Sequence, residues 1–367
     1  MVHAGRLKIL YLSTGYGVHD RRFLEKITSA GHEAIFVSWD GASATAALPE
    51  GARGLAFVAT SDSERQREIA AIATDVGASL IHAGPVPTVA YHAIQSGFRP
   101  VLAMSWGSDL LVDAREDATA QARANLVLSQ AAGLICDSEA VAAVARELSG
   151  ISQDQITIFP WGTEPEHFSP AADSRERLRA RLGWQDAFVI FTNRSWEPIY
   201  SVPTALDAFA QARKANPALK LLLAGAGSEA AAVHESIRRH GLEPHVHFAG
   251  RVSREELPAY YAASELYLSC ALSDGTSVSL LEAMSCGVPA LVTDIPSNRE
   301  WVAAGANGWL AARADAGAYA RAISEAALLA PGQLRAMGQR GREQVLARAD
   351  WKRESSRLLE AYRRITK

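Results

Sequence analysis

The sequence predicts an α/β protein built from two doubly wound domains that face one another across a cleft. Three observations lead there. Short runs rich in Val, Ile and Leu alternate with longer helical patterns, the mark of parallel sheets covered by helices on both faces. The alternation breaks once, in "FPWGTEPEHFSPAADS" at 159–174, where Pro, Gly and aromatic residues replace any helical period. A chain of 367 residues that is 48% hydrophobic has enough apolar material for two separate cores.

Taken in order, "LKILYLS", "EAIFVSW", "SLIHAG", "PVLAMSW" and "GLICDS" are the expected strands before the break. The runs "AFVIFTN", "LKLLLAG", "VHFAG", "ELYLSC" and "ALVTD" are the expected strands after it. The domains are accordingly 1–165 and 166–349. Ligands of open parallel sheets lie beyond the carboxyl ends of the strands, so the informative motifs should follow strands directly.

Composition excludes several classes. A formal charge of −3 is too near neutral for nucleic acid as the main partner. The basic end, from Arg335 through Arg353, Arg357, Arg363 and Arg364 to Lys367, suits a solvated helix or a weak contact with an anionic membrane. Cys136, Cys270 and Cys286 lack metal-ligand spacing and lie in apolar company, as reduced core residues do. A polar lead into the first strand, and no apolar run of membrane-spanning length, place the expected protein in the cytoplasm. No metal cluster is expected.

The stretch "SDGTSVSLLEAMSCGVPA", 273–290, combines a ligand loop with an apolar helix. Gly275 permits close backbone approach, and either Thr276 or Ser277 can cap the helix, whose free N–H groups attract phosphate. Glu282 sits near the helix start, where the dipole favours an acid that could accept from vicinal hydroxyls, or it belongs to a solvated stripe. The spacing of Asp274 and Glu282, continued by "AMSCGVPALVTD", resembles the Glu-x(7)-Glu signature of retaining glycosyltransferases of the GT-B fold, with two Rossmann-like domains. The resemblance runs along nearly the whole chain, through "PWGTEPEHFSP" as interdomain linker and "TNRSWEPIYSVPTALDAF" after the first strand of the second domain. It implies a final helix, about 350–367, that packs back on the first domain.

What the resemblance implies for residues is specific. Asp274, where the family usually has Glu, would contact the transferred sugar, with Gly275, Thr276 and Ser277 offering amides to sugar and diphosphate and Glu282 holding the ribose. Arg194 would carry the diphosphate charge, although on its own an Arg at a strand end is usually an ion-pair residue. The family's Lys beside it is Tyr200 here. Gly225 and Gly227 in "AGAGSEA" match the family's G-x-G turn and also, weakly, a dinucleotide fingerprint. Arg251 and Val252 occupy the place where the nucleobase packs. In the first domain Tyr16 and Gly17 resemble the glycine loop facing the donor phosphates. His19 and Asp20 are acceptor-side candidates, with helix capping the other reading of Asp20. His82 is the remaining member of a His-x-His segment whose second His is Gly84, and is either catalytic or structural. Asp109 is an acceptor or loop-ordering carboxylate.

The expected function is transfer of a sugar, with retention, from a nucleoside-diphosphate sugar of UDP or GDP type to a carbohydrate, lipid-linked or small hydroxyl acceptor. Cell-surface polysaccharide or glycoconjugate assembly is the expected setting. The nucleotide sugar is a co-substrate, and no further cofactor is expected. The alternatives are a nucleotide-sugar epimerase, an NAD(P)-dependent oxidoreductase using "AGAGSEA", and a non-catalytic nucleotide-sugar-binding module.

Overall fold

A computed structural model of the chain describes residues 5–367, so the polar lead Met1–Ala4 lies outside the described residues. Two compact units result. One holds the chain through Trp161 together with Arg353–Lys367, and the other is Gly162–Lys352.

The first unit carries a seven-stranded sheet in the order β3-β2-β1-β4-β5-β6-β7. Its strands are β1 (Lys8–Ser13), β2 (Glu33–Ser38), β3 (Ala52–Gly54), β4 (Leu80–Ala83), β5 (Val101–Met104), β6 (Gly133–Cys136) and β7 (Ile156–Ile158). The second carries six strands in the order β10-β9-β8-β11-β12-β13. These are β8 (Phe188–Thr192), β9 (Leu219–Ala224), β10 (Val246–Gly250), β11 (Leu266–Ser269), β12 (Ala290–Thr293) and β13 (Gly308–Ala311). Neighbours pair in parallel in both sheets. Strand order therefore reverses between β1 and β4 in one unit and between β8 and β11 in the other. Those reversals open the crevices in which α/β sheets hold ligands.

The expected strands are all present, and β3, β7 and β13 are additions. Each is an edge strand of three or four residues. An edge strand pairs on one side only, and a run such as "ARG" is too short to show a period.

Both faces of the first sheet are covered. Leu10, Leu12, Ile35, Val37 and Ile81 pack into one core cluster. On the other face the helix Val18–Ser29 buries Phe23, Leu24 and Ile27, and the helix Ser356–Ile365 buries Leu358, Ala361 and Tyr362. Each such Leu, Ile or Phe side chain stabilises the unit by about 1.5–3 kcal/mol. The latter helix is held at its polar edge as well, by Arg364 donating to Thr157 Oγ1 at 2.7 Å and Arg357 donating to the Ile158 carbonyl at 2.9 Å.

His82 belongs to this packing. It pairs in register with Tyr11 and is 0% exposed. Its ring lies edge-on to Tyr11, Phe23 and Tyr362, and Nδ1 is 2.7 Å from the Tyr362 hydroxyl. The expectation of a catalytic His82 is corrected: the side chain is enclosed, on a strand in a core, with Nδ1 engaged by Tyr362. A second His at position 84 is also closed off, because a Cβ there would stand 2.4 Å from the Met104 carbonyl oxygen.

Burial lowers the His82 pKa from 6.5 to about 3. A depressed imidazole contributes stability that is fully present above the unfolded value of 6.5 and is lost as pH falls from there towards 3. At pH 5 the loss is about 2 kcal/mol, from about 1.4 kcal/mol per pH unit. Urea unfolding at pH 7.5 and 5.0 should show His82→Asn losing less stability than the parent by that amount. Equal losses in the two proteins would show that His82 does not fold as a neutral group.

Candidate functional site

In the second unit the loop leaving β8 and the loop leaving β11 meet at the strand-order reversal. The first carries Asn193 and Arg194. The second runs Asp274-Gly275-Thr276-Ser277 into the helix Val278–Ser285, and Ser277 is the cap, its Oγ accepting from the Leu280 N–H at 3.4 Å.

Arg194 is the centre of the arrangement. Its Nη2 lies 2.9 Å from Asp274 Oδ2, with the two side chains 9% and 17% exposed. Its Nη1 donates to Ser277 Oγ at 2.6 Å and to Ser279 Oγ at 2.9 Å. Tyr200 lies under the guanidinium, 4.0 Å from ring centroid to Cζ. The Nε is buried with no hydrogen-bond partner. Burial works against the cation, but Asp274, with Tyr267 and Tyr200, more than offsets it, so the pKa lies above arginine's ordinary value. Burial pushes the Asp274 carboxyl up, and Arg194 and Ser277 pull it part of the way back.

Glu282 is one turn into the helix. Its Oε2 accepts from the Tyr261 hydroxyl at 2.8 Å, and that hydroxyl accepts from Asn193 Nδ2 at 2.9 Å. Burial and then Glu282 raise the Tyr261 pKa well above 10.0, so the phenol keeps its proton and donates. Tyr267 fixes Ser279, with the two hydroxyl oxygens 2.7 Å apart. Asn193, Tyr261, Tyr267 and Ser279 were not predicted. Asn193 adjoins Arg194 in the chain and Ser279 shares a helix stripe with Glu282, whereas only the packing of β8, β11 and two helices brings Tyr261 and Tyr267 to them.

Gly225 and Gly227 are glycines for a reason that needs no dinucleotide. A Cβ on Gly225, which has φ +124°, would lie 2.5 Å from the Arg194 carbonyl oxygen, and one on Gly227 would lie 2.4 Å from that of Trp196. The turn and the Arg194 loop are joined by Trp196 N–H to the Ala226 carbonyl at 3.0 Å and Glu229 N–H to the Trp196 carbonyl at 2.8 Å. The turn thus holds the Arg194 loop in place. Arg251 is exposed, and Val252 packs at the edge of a core cluster.

In the first unit Gly17 caps the helix Val18–Ser29. Asp20 is buried, accepting from the Gly17 N–H at 2.8 Å and the Tyr11 hydroxyl at 3.1 Å. Its expected acceptor contact is corrected to capping, since both oxygens are spent. Asp109 is likewise corrected to a loop-ordering role. It is buried, and it accepts from the Val86 N–H at 2.8 Å and Ser105 Oγ at 2.6 Å, with burial raising its pKa to about 6. Tyr16 is half-buried against Phe36, its hydroxyl donating to the Ala47 carbonyl at 3.3 Å. His19 remains partly exposed.

A cavity of about 680 Å³ opens at the amino ends of β8, β11 and β12, lined there by Phe188, Glu265 and Pro289. It is at the wrong end of the strands for Arg194, and its Arg175 and Arg179 are engaged by Glu265 and backbone carbonyls. Among the described residues no group of three or more His, Cys, Asp or Glu could hold a metal ion.

Comparison with known proteins finds relatives in sequence and in fold. A phosphatidylinositol monomannoside mannosyltransferase of Mycolicibacterium smegmatis, GDP-mannose-dependent by name, is 28% identical over 210 residues, 55% of this chain and 54% of that protein. Mannosylfructose-phosphate synthase of Agrobacterium fabrum is 27% identical over 158 residues, 39% of this chain and 34% of that protein. The chain spans about half the length, or less, of these curated relatives. Among solved structures, Anabaena HepE in complex with UDP and glucose has a TM-score of 0.81 at 19% identity, covering 97% of this chain and 99% of that one. Sucrose-phosphate synthase from Thermosynechococcus elongatus has a TM-score of 0.82 at 22% identity, covering 98% of each chain. At such identities these two structures show the fold alone, and that fold is GT-B. The sequence comparison adds that residues 174–344, which hold Arg194, Asp274 and Glu282, match the family model described as glycosyl transferases group 1.

Proposed function

We propose that the protein transfers a sugar from a nucleoside-diphosphate sugar, of UDP or GDP type, to a hydroxyl acceptor with retention at the anomeric carbon. The observation that carries this reading is the set of Arg194, Asp274 and Glu282 around a helix N-terminus at the β8–β11 reversal. It combines a buried cation, a carboxylate touching it, and a second carboxylate a turn away. Arg194 and the amides of Gly275, Thr276 and Ser277 bind the diphosphate, Glu282 accepts from the ribose hydroxyls, and Asp274 orients the sugar. The relatives support it, since one is named for GDP-mannose and one structure is titled with UDP and glucose.

In this mechanism the bond from the anomeric carbon to the phosphate oxygen breaks as the acceptor oxygen approaches the same face. The acceptor proton passes to the leaving diphosphate, whose charge Arg194 and the helix amides hold. Asp274 stabilises the oxocarbenium-like centre by its charge and forms no covalent bond. Arg194 and the amides supply the positive potential in place of a divalent ion. Cys136, Cys270 and Cys286 are buried and form no disulfide, which fits a cytoplasmic setting, where thiols stay reduced. Among the described residues no helix is long and apolar enough to cross a membrane. Basic side chains on the helix Ser356–Ile365, Arg363 among them, support at most a peripheral contact with an anionic inner face. Assembly of cell-surface polysaccharide or glycoconjugate remains the setting this reading favours.

A thermal-shift titration with UDP, GDP, ADP, their sugar conjugates, NAD and NADP tests the donor. One nucleoside diphosphate should raise the melting temperature selectively. Glu282→Ala should weaken that binding about tenfold or more, the loss of charge-assisted hydrogen bonds to the ribose. A shift with NAD or NADP alone would overturn the reading. Proton NMR of the first-formed product should show the donor's anomeric configuration, and inversion would sink the mechanism. Turnover should be unchanged in EDTA, whereas its loss and recovery with Mg²⁺ or Mn²⁺ would show that a metal holds the diphosphate.

A further inference from the structure

The first unit has a strand-order reversal of its own, between β1 and β4, and the residues around it are of a different kind. His19 follows β1 at the start of the helix Val18–Ser29, Trp106 follows β5, and Trp161 follows β7. Trp106 and Trp161 meet edge to face with centroids 4.7 Å apart, and His19 lies 5.9 Å from the first and 5.4 Å from the second. The group rests on the core through Phe23, which is 5.6 Å from Trp161 and 6.5 Å from Trp106, both edge-on. Trp161 is buried, while His19 and Trp106 are partly exposed.

This is a rigid aromatic surface with unused polar atoms. Trp161 Nε1 is buried without a hydrogen-bond partner. Burial, and then Arg22, hold the His19 pKa down at about 4, so the ring is neutral and offers one donor and one acceptor nitrogen. The carboxylates that follow β1 and β5, Asp20 and Asp109, are buried and spent on backbone N–H groups and hydroxyls. Arg22 is turned to the Trp161 carbonyl, to which it donates at 2.8 Å, and a neutral ring with an apolar C–H face and hydroxyl edges matches both the indoles and the imidazole.

We infer that His19, Trp106 and Trp161 form a stacking subsite for a neutral sugar ring, the acceptor of the transfer, with Trp106 as the residue that selects it. The inference rests on the transferase reading above, which requires a second substrate. It adds that this substrate is recognised as a carbohydrate ring rather than as a phosphate or an acyl chain. Trp106 lies under the ring face, His19 hydrogen-bonds a ring hydroxyl, and Trp161 holds the other two in position.

Saturation-transfer NMR on the full chain tests it, with methyl α- and β-hexopyranosides as probes and glycerol phosphate as the anionic control. UDP and GDP binding is measured on the same samples. At least one methyl hexopyranoside should receive saturation and glycerol phosphate none. Trp106→Ala should weaken that signal about tenfold, as expected for losing one stacked ring, and Trp106→Phe should restore part of it. Nucleotide affinity and the circular dichroism spectrum should be unchanged in both variants. Glycoside binding that ignores Trp106→Ala, or binding of glycerol phosphate alone, would overturn the inference. Nucleotide binding with no glycoside binding would overturn it too and leave the donor reading standing. Trp106-dependent glycoside binding without nucleotide binding would uphold the subsite and remove the donor reading.

Discussion

A guanidinium with 9% of its side chain in contact with solvent is the constraint around which the second unit is arranged. Removing a charge from water costs several kcal/mol, and the cost is recovered only if neighbours answer the charge in good geometry. Arg194 is answered on three sides, by the Asp274 carboxylate, by the hydroxyls of Ser277 and Ser279, and by the face of Tyr200. Those partners are themselves fixed. Ser279 is held by Tyr267, Ser277 caps its helix, and the Asp274 carbonyl accepts from Ser297 Oγ at 2.7 Å. The glycines at 225 and 227 exist so that the Arg194 backbone can be gripped closely. A site assembled this way changes little when a ligand arrives, which is the property an electrostatic binding site needs.

The same reasoning explains Tyr200. A second cation in that place would lie beside Arg194 and repel it, requiring another carboxylate or an anion to compensate. An aromatic face stabilises the one guanidinium without adding charge. At its strand-order reversal the second unit therefore presents a fixed cation, Arg194, whereas the loops of the first unit present rings and a neutral imidazole. Each unit uses the reversal in its own strand order, but with opposite chemistry.

Much of this was legible in the sequence. Strands such as "LKILYLS" and "ELYLSC" are apolar throughout because they are buried on both faces, and that pattern survives without any structure. Asp274 and Glu282 were legible because their separation is a property of one loop and one helix. Tyr261 was not, because its relation to Glu282 depends on how two helices pack, and nothing local encodes it. His82, Asp20 and Asp109 show the opposite limit. Each is a chemically capable side chain near the end of a strand or just after one, and only burial and the count of bonds already made distinguish a structural role from a reactive one. The edge strands escaped notice because three or four residues cannot display a period.

The helix Ser356–Ile365 has a consequence for how the chain is made. Tyr362 and Leu358 complete one face of a sheet whose first strand begins at Lys8, so that face stays open until a helix beyond the whole of the second unit has been made. The second unit, continuous from Gly162 to Lys352, has all its parts earlier. Domains generally fold in order of synthesis, N-terminal first. Here the N-terminal sheet must wait, half-covered, with His82 and Phe23 exposed to any chaperone that recognises apolar surface, while the later-born unit can close before it.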